Sequence, residues 1–433
     1  MRKFQYLNFL VSIFLLTGCL SYNRSNDPQS MSGKTAMEYF ADEGIKVGWN
    51  LGNTLDAYNS WSYAKPVAEE GCWYNIPLAN QKLFYGVKEQ GFDIVRIPVT
   101  WMGHIGPAPD YKVSQARLKR VARVAGYAHN AGLKAIINIM HDDNSESGWL
   151  LLGNAFKSQD ENNQITEKYI KVWKQIAEHF KDYGDWLIFE SMNEAHDEDW
   201  GWSEGFRSNP KAYIDIINNW NQCFTDAVRA TGSNNSYRFL MYPSFISSPE
   251  GILPDGKYAL RSSTGVVRSN VEIGKYFILP TDSAGTGRQI VTCHYYDFFE
   301  FVVPFQGTPL DWGTQNEKNA IDSMFARLKE HYIDKKIPVI LGETGRSRPS
   351  GKNLSGSEMR AQQIEAANAA RLRWVEYIFS KARENGIVPV WWDNGNYKTA
   401  HEKDQFGLIN RKTGGPNSDE SAGVLSAIMN AVR

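Results

Sequence analysis

Two glutamates each close an apolar run. Glu194 ends Trp186-Leu187-Ile188-Phe189-Glu190-Ser191-Met192-Asn193-Glu194, and Glu343 follows Ile337-Pro338-Val339-Ile340-Leu341-Gly342. A carboxylate at the mouth of a buried strand is partly desolvated, so its neighbours can tune its pKa. Two such groups facing each other, one protonated and one ionised, have the chemistry that glycosidic-bond hydrolysis requires. The fold must then bring together two segments that lie far apart in sequence.

The elements that could do this recur regularly. Apolar, β-branched runs centre near Val47, Val95, Ile137, Ile188, Leu240, Val291, Ile340 and Val390. Between them lie segments with helical periodicity: Ser114 to Ala131, Thr166 to Tyr183, Lys211 to Thr231, Asn316 to Asp334 and Glu358 to Asn385. Strand then helix, repeated eight times, predicts an α/β fold: a (β/α)8 TIM barrel in one domain, residues 40–433. A doubly wound open sheet is the alternative, but no Gly-rich phosphate turn follows the first run. Active sites of such barrels sit at the C-terminal strand ends. Here those ends carry Trp49-Asn50, Arg96, His141-Asp142-Asp143, Asn193-Glu194, His294-Tyr295-Tyr296, Glu343 and Trp392-Asp393-Asn394. Residues 250–288 break the rhythm with a long Gly-, Ser- and Pro-rich connection, a candidate wall of a cleft.

Composition narrows the partner. There are 47 basic and 48 acidic residues, which argues against nucleic acid or an electrostatic membrane patch. The chain has 14 Trp and 21 Tyr, and several Trp lie beside Gly, Asn or Asp: Trp49, Trp61, Trp73, Trp149, Trp200, Trp202 and Trp392. Aromatic faces of this kind stack on the C–H faces of sugar rings. Arg2 and Lys3 precede the apolar stretch Phe9 to Leu16, which reads as a signal peptide over residues 1–18. Leu16-Thr17-Gly18-Cys19 resembles a bacterial lipobox, with Cys19 as the lipidated residue. Residues 19–39 then read as a flexible tether, and the protein as an outer-membrane lipoprotein held by its lipid. Cys72, Cys223 and Cys293 match no metal-ligand spacing, and Cys293 reads as a buried thiol.

Further motifs carry a family resemblance. Gly48-Trp49-Asn50-Leu51-Gly52-Asn53-Thr54-Leu55-Asp56, Val95-Arg96-Ile97-Pro98-Val99-Thr100-Trp101 and Phe189-Glu190-Ser191-Met192-Asn193-Glu194 resemble glycoside hydrolase family 5. His294-Tyr295-Tyr296, Leu341-Gly342-Glu343-Thr344-Gly345 and Trp392-Asp393-Asn394 continue the match in family order. The branch they resemble is that of the bacterial endo-β-1,4-glucanases and xyloglucanases. The resemblance implies a retaining endo-glycanase with Glu194 as general acid/base and Glu343 as nucleophile, their carboxyls roughly 5–5.5 Å apart. It implies a polysaccharide substrate with a β-1,4-glucan backbone, probed by a monomer that needs no metal or organic cofactor. Arg96 is suited to pair with Glu343, Asn193 to hold the sugar 2-hydroxyl, and Tyr296 to donate to Glu343. His294 would orient the acid or a hydroxyl, and Trp392 would lie under the sugar at the cleavage point. His104 and Trp73 match positions near the substrate cleft. Mannan, arabinoxylan or mixed-linkage glucan are alternative substrates, and a transglycosylase or a non-catalytic glycan-binding lipoprotein are alternative functions.

Strand 3 departs from the family pattern. With Asn138 as anchor, Met140 stands where a substrate-side His is usual. A one-residue bulge would bring His141 back to the mouth, and His141 is expected to line the site. Glu190 reads as structural, Asp142 and Asp143 as a capped turn, and Trp391 as packing away from the cleft against a helix.

Overall fold

Short β-branched strands buried on both faces cannot stand alone; closing them into a ring and covering the ring with helices satisfies both faces. The computed structural model describes residues 31–59, 66–144, 147–261, 267–304, 307–397 and 404–433. The signal peptide, Cys19, most of the tether and Trp61 lie outside the described residues. The barrel strands are β1 (Gly48–Asn50), β2 (Ile94–Ile97), β3 (Lys134–Ile137), β4 (Leu187–Glu190), β5 (Leu240–Tyr242), β6 (Gln289–Tyr295), β7 (Val339–Thr344) and β8 (Val388–Trp391). They pair in parallel in this order, and Gly48 against Val390 closes the ring.

Alternation along each strand sorts the core into two parts. Ile94, Ile136, Ile188, Met241, Ile290, Ile340 and Val390 form the inner cluster. Val95, Ile97, Ala135, Ile137, Leu187, Phe189, Leu240 and Leu341 belong to the outer cluster that meets the helices. Gly48 is glycine for lack of room: a Cβ there would lie 2.8 Å from Ile94 and 2.9 Å from Val390. The helix Ala36–Asp42, closed by a capping box between Thr35 and Glu38, joins the inner cluster through Ala36, Tyr39 and Phe40. Residue 40, the expected start of the domain, thus falls inside a helix that plugs the N-terminal end of the barrel.

The outer helices include Gln115–Asn130, Pro210–Arg229, Gln315–His331 and Ala361–Glu384, where periodicity predicts them, and Gln159–Phe180, which starts earlier than expected. Gln81–Glu89 and Asp419–Val432 complete the layer. Between β5 and β6 the described chain has only the one-turn helix Pro249–Ile252, short 3-10 turns and the hairpin Lys257–Arg261 with Val267–Glu272. The interruption at 250–288 therefore replaces a barrel helix with a hairpin.

One irregularity decides the site. Between β6 and β7 the register shifts: Cys293 faces Leu341, but His294 faces Glu343. The extra residue is Gly342. Simple alternation would put Glu343 with Val339 and Leu341, toward the helices; the bulge returns it to the interior. A Cβ on Gly342 would lie 2.8 Å from Thr292 Oγ1 and 3.3 Å from the His294 ring, so only glycine lets the two strands approach here.

Candidate active site

The site is built on Arg96, which follows Ile94 on the inner face of β2 and is fully buried. Its Nε donates to Glu190 Oε2 at 2.7 Å. One terminal nitrogen donates to Glu343 Oε1 at 2.8 Å and Asn50 Oδ1 at 3.2 Å, and the other to Asn193 Oδ1 at 2.8 Å. Burial disfavours the charged guanidinium, but the Glu190 and Glu343 carboxylates outweigh that and raise its pKa. Arg96 thus stays charged. It was expected among the substrate-binding residues; with no exposed surface it acts through Glu343 and Asn193 instead. Glu190, expected to be structural, is the other half of the ion pair and also accepts from Asn138 Nδ2 at 2.8 Å.

Glu343 is held at both oxygens, Oε1 by Arg96 and Oε2 by the Tyr296 hydroxyl at 3.0 Å. Glu194 comes from the loop after β4. Its Oε1 lies 2.6 Å from His294 Nδ1, and its backbone N–H donates to Asp143 Oδ2 at 3.1 Å. Glu194, His294 and Glu343 present polar atoms within 4.8 Å of one another. Such a cluster has the donors of a cation site. Here Glu194 Oε1 is engaged by His294 Nδ1, and the two Glu343 oxygens by Arg96 and Tyr296.

Burial sets the protonation states. It raises the Glu194 carboxyl to about 7, and the nearby Asp143 charge adds to the rise. It lowers His294 to about 4, so the imidazole is neutral near pH 7. Burial also raises Glu343, and the raised direction holds although the Arg96 charge and the Tyr296 hydroxyl pull the other way. The direct guanidinium contact is found at Glu343 alone of the two, which favours its ionised form.

The other expected residues divide. Trp392 lies just past β8, over Gly52, where a Cβ would meet its ring at 2.8 Å. Trp392 lines a cleft of about 700 Å³ together with Glu194, Glu343, His294 and Tyr296. Glu250, Tyr258 and Ala259 line it too, so the segment after β5 does form a wall. Trp391 is buried on the opposite side, its indole N–H donating to the Phe406 carbonyl at 3.0 Å. Trp73 sits beyond β1, donating to the Tyr58 carbonyl at 2.9 Å, with its ring 5.3 Å from that of His141. His104 Nε2 is taken by the Ala68 carbonyl at 2.7 Å, so it braces the two-stranded pair Tyr58–Asn59 with Val67–Ala68.

His141 remains at the rim, its side chain 25 % exposed and 3.5 Å from Asp56. β3 pairs in regular register with both neighbours as far as Ile137. Beyond the strand, His141 itself adopts a left-handed backbone, φ +55°. Met140 is buried in the outer core and does not face the cleft. Asp142 caps the turn, accepting from the Trp101 backbone at 2.7 Å and the Trp149 indole at 2.6 Å. Asp143 does more than cap, since it holds the Glu194 backbone. Sequence reasoning missed this, along with the Asn50 contact. Asn50 shares the inward face of β1 with Gly48, which was a legible signal.

Residues 55–398 match the family model described as cellulase (glycosyl hydrolase family 5). The chain belongs to this family. It is 33% identical over 416 residues to endoglucanase B of Clostridium cellulovorans, covering 94% of this chain and 79% of that protein. A broad-specificity endoglucanase from Bacteroides salanitronis superposes with a TM-score of 0.77 at 32% identity, covering 95% of this chain and 98% of that one. A family 5 xyloglucanase from Bacteroides ovatus, in complex with a XXXG heptasaccharide, gives 0.75 at 27% identity, covering 94% and 78%. The protein is therefore a glycoside hydrolase with a single-domain (β/α)8 barrel.

A carboxyl with a raised pKa favours the fold while protonated. For Glu194 that stability is fully present below its ordinary value near 4.5 and is lost as the pH rises through about 7. Glu194→Gln should therefore gain stability relative to the wild type across that window. Chemical denaturation of both at pH 4.5 and pH 8 reads this out; a difference independent of pH would contradict the assigned shift.

Proposed function

We propose that this enzyme is a retaining endo-β-1,4-glycanase acting on glucan-backbone polysaccharides, cellulose-type glucan or xyloglucan. The observation that carries the reading is the Glu194–Glu343 pair, with oxygens within 4.8 Å. That proximity supports the roughly 5–5.5 Å carboxyl separation of retaining enzymes over the roughly 6.5–9.5 Å of inverting ones. The relatives named endoglucanases and the xyloglucanase of similar fold support the glucan backbone. Mannan, arabinoxylan and mixed-linkage glucan are the competing substrates.

In the first step Glu343 attacks the anomeric carbon while the bond to the leaving oxygen breaks. Glu194, protonated to about pH 7, gives that oxygen its proton. Arg96 and Tyr296 hold the nucleophile in place. In the second step Glu194, now ionised, takes a proton from water. The water oxygen bonds to the anomeric carbon, the ester to Glu343 breaks, and both residues return to their starting states. Asn193, fixed by Arg96 through its Oδ1, is placed to hold the sugar 2-hydroxyl with its amide. Neutral His294 keeps Glu194 oriented between the two steps. Two carboxylates and water balance the reaction.

The lipobox-like Leu16-Thr17-Gly18-Cys19 supports membrane anchoring through lipidated Cys19, with residues after it as the spacer to the barrel. Cys19→Ser should then leave the protein in the aqueous phase of a detergent partition; unchanged partition would sink the anchor.

Glu343→Gln should lower turnover of xyloglucan or carboxymethylcellulose by at least about 10³-fold while the protein stays folded. Glu194→Ala should lose polysaccharide hydrolysis but recover, on adding azide, with an aryl β-cellobioside whose leaving group needs no acid. Residual turnover near wild type in the first variant, or no azide response in the second, would overturn the assignments.

A further inference from the structure

Next to Trp392 in the chain lies a buried acid that the two-step chemistry does not use. Asp393 has no exposed surface. Its Oδ1 accepts from the Gly395 N–H at 2.9 Å. Its Oδ2 accepts from the Leu408 and Ile409 N–H groups at 2.9 Å each and from the Trp49 indole N–H at 3.0 Å. Arg411, from the segment between β8 and the helix Asp419–Val432, is buried against the same carboxylate, with its Nη2 3.1 Å from Oδ1. That nitrogen also reaches the Asp393 carbonyl at 2.6 Å and the Gly52 carbonyl at 3.1 Å. Its guanidinium carbon lies 4.5 Å from the centre of the Trp49 ring. The Gly52 N–H in turn donates to the Asp393 carbonyl at 3.0 Å. Asp393 and Arg411 therefore hold Gly52 at both its N–H and its C=O.

Such a pair ties the end of β1 to the end of β8, which would serve the fold alone. Its contacts, however, converge on the two backbones that border the Trp392 indole. One is that of Asp393, the next residue. The other is that of Gly52, where a Cβ would lie 2.8 Å from Trp392 Cη2 and 2.9 Å from the Asp393 carbonyl oxygen. The Trp392 N–H donates to the Thr344 carbonyl at 2.7 Å, which fixes its own backbone to the residue after Glu343. We propose that Arg411 and Asp393 are positioning residues that set where the Trp392 ring stands relative to Glu343. The inference rests on the retaining-glycanase reading, in which Trp392 lies under the sugar at the cleavage point. That sugar flattens as the oxocarbenium-like transition state forms, so a displaced floor penalises the reaction more than it penalises binding. A misplacement of about 1 Å, caused far from the chemistry, can cost on the order of 10²-fold in rate.

The test is a double-mutant cycle on cellohexaose with the wild type, Arg411→Met, Trp392→Ala and the two combined. Arg411→Met removes the bonds to Gly52 while Asp393 keeps its donors from Trp49, Gly395, Leu408 and Ile409, so the fold should persist. Its kcat should fall about tenfold with KM within about twofold of the wild type. In the Trp392→Ala background the same substitution should cost less than about twofold, because no ring is left to place. Arg411→Lys, which keeps the charge beside Asp393, should lose less kcat, and its own cycle with Trp392→Ala decides the matter where Arg411→Met does not fold. Equal losses in the two backgrounds, or lower thermal stability with an unchanged kcat, would overturn the positioning role. A wild-type enzyme that leaves cellohexaose uncleaved would instead overturn the parent reading.

Discussion

The site depends on one buried charge. Arg96 sits inside the barrel with no solvent contact, and a guanidinium there is tolerable only if it is paired and fully hydrogen-bonded. It meets Glu190 below, Glu343 and Asn50 to one side and Asn193 to the other. The partners come from β1, from β7 and, for Glu190 and Asn193, from β4 and its end, so one side chain sets the relative positions of β1, β2, β4 and β7. Removing either carboxylate would leave a buried charge poorly compensated. The same contact gives Glu343 a permanent counter-charge that Glu194 lacks, and this separates the roles of two similar carboxyl groups.

Two backbone irregularities complete the geometry. Gly342 adds a residue to β7 and turns Glu343 inward. The left-handed His141 keeps an imidazole at the rim without disturbing β3. The mouth then has two aromatic flanks: Tyr58, Trp73 and His141 above β1 to β3, and Trp200, Trp202 and Tyr258 above β4 to β6. Glu194 and Glu343 lie between them. An extended chain of neutral sugars crossing the barrel mouth would meet flat apolar faces at both ends and polar groups only at the centre. That arrangement is consistent with the near balance of acidic and basic residues in the chain.

Much of this was legible from sequence because the barrel repeats one physical pattern. The eight apolar runs located every strand to within a few residues, and the polar residues at every strand end but that of β5 marked the face that carries the chemistry. What escaped had local causes. The helix Gln159–Phe180 begins before its apolar stripe, since Asp160 to Gln164 are polar and only the Ser158 cap marks the start. The alternation of β4 pairs Glu190 with Ile188 on the inner face, but sequence alone does not reveal the Arg96 opposite it. The Gly342 bulge is a backbone event without a periodic signal, so the orientation of Glu343 followed from its motif and not from alternation. His141 is similar, because a left-handed residue and a strand bulge both return a side chain to the rim.

The stereochemistry of the first product tests the account most directly. Proton NMR of the new reducing end, recorded within minutes of mixing enzyme and a cello-oligosaccharide, separates the anomers before they equilibrate. Double displacement at Glu343 predicts that the β-anomer appears first and the α-anomer grows in later by mutarotation. Initial release of the α-anomer would mean single inversion by water and would contradict the roles given to both glutamates.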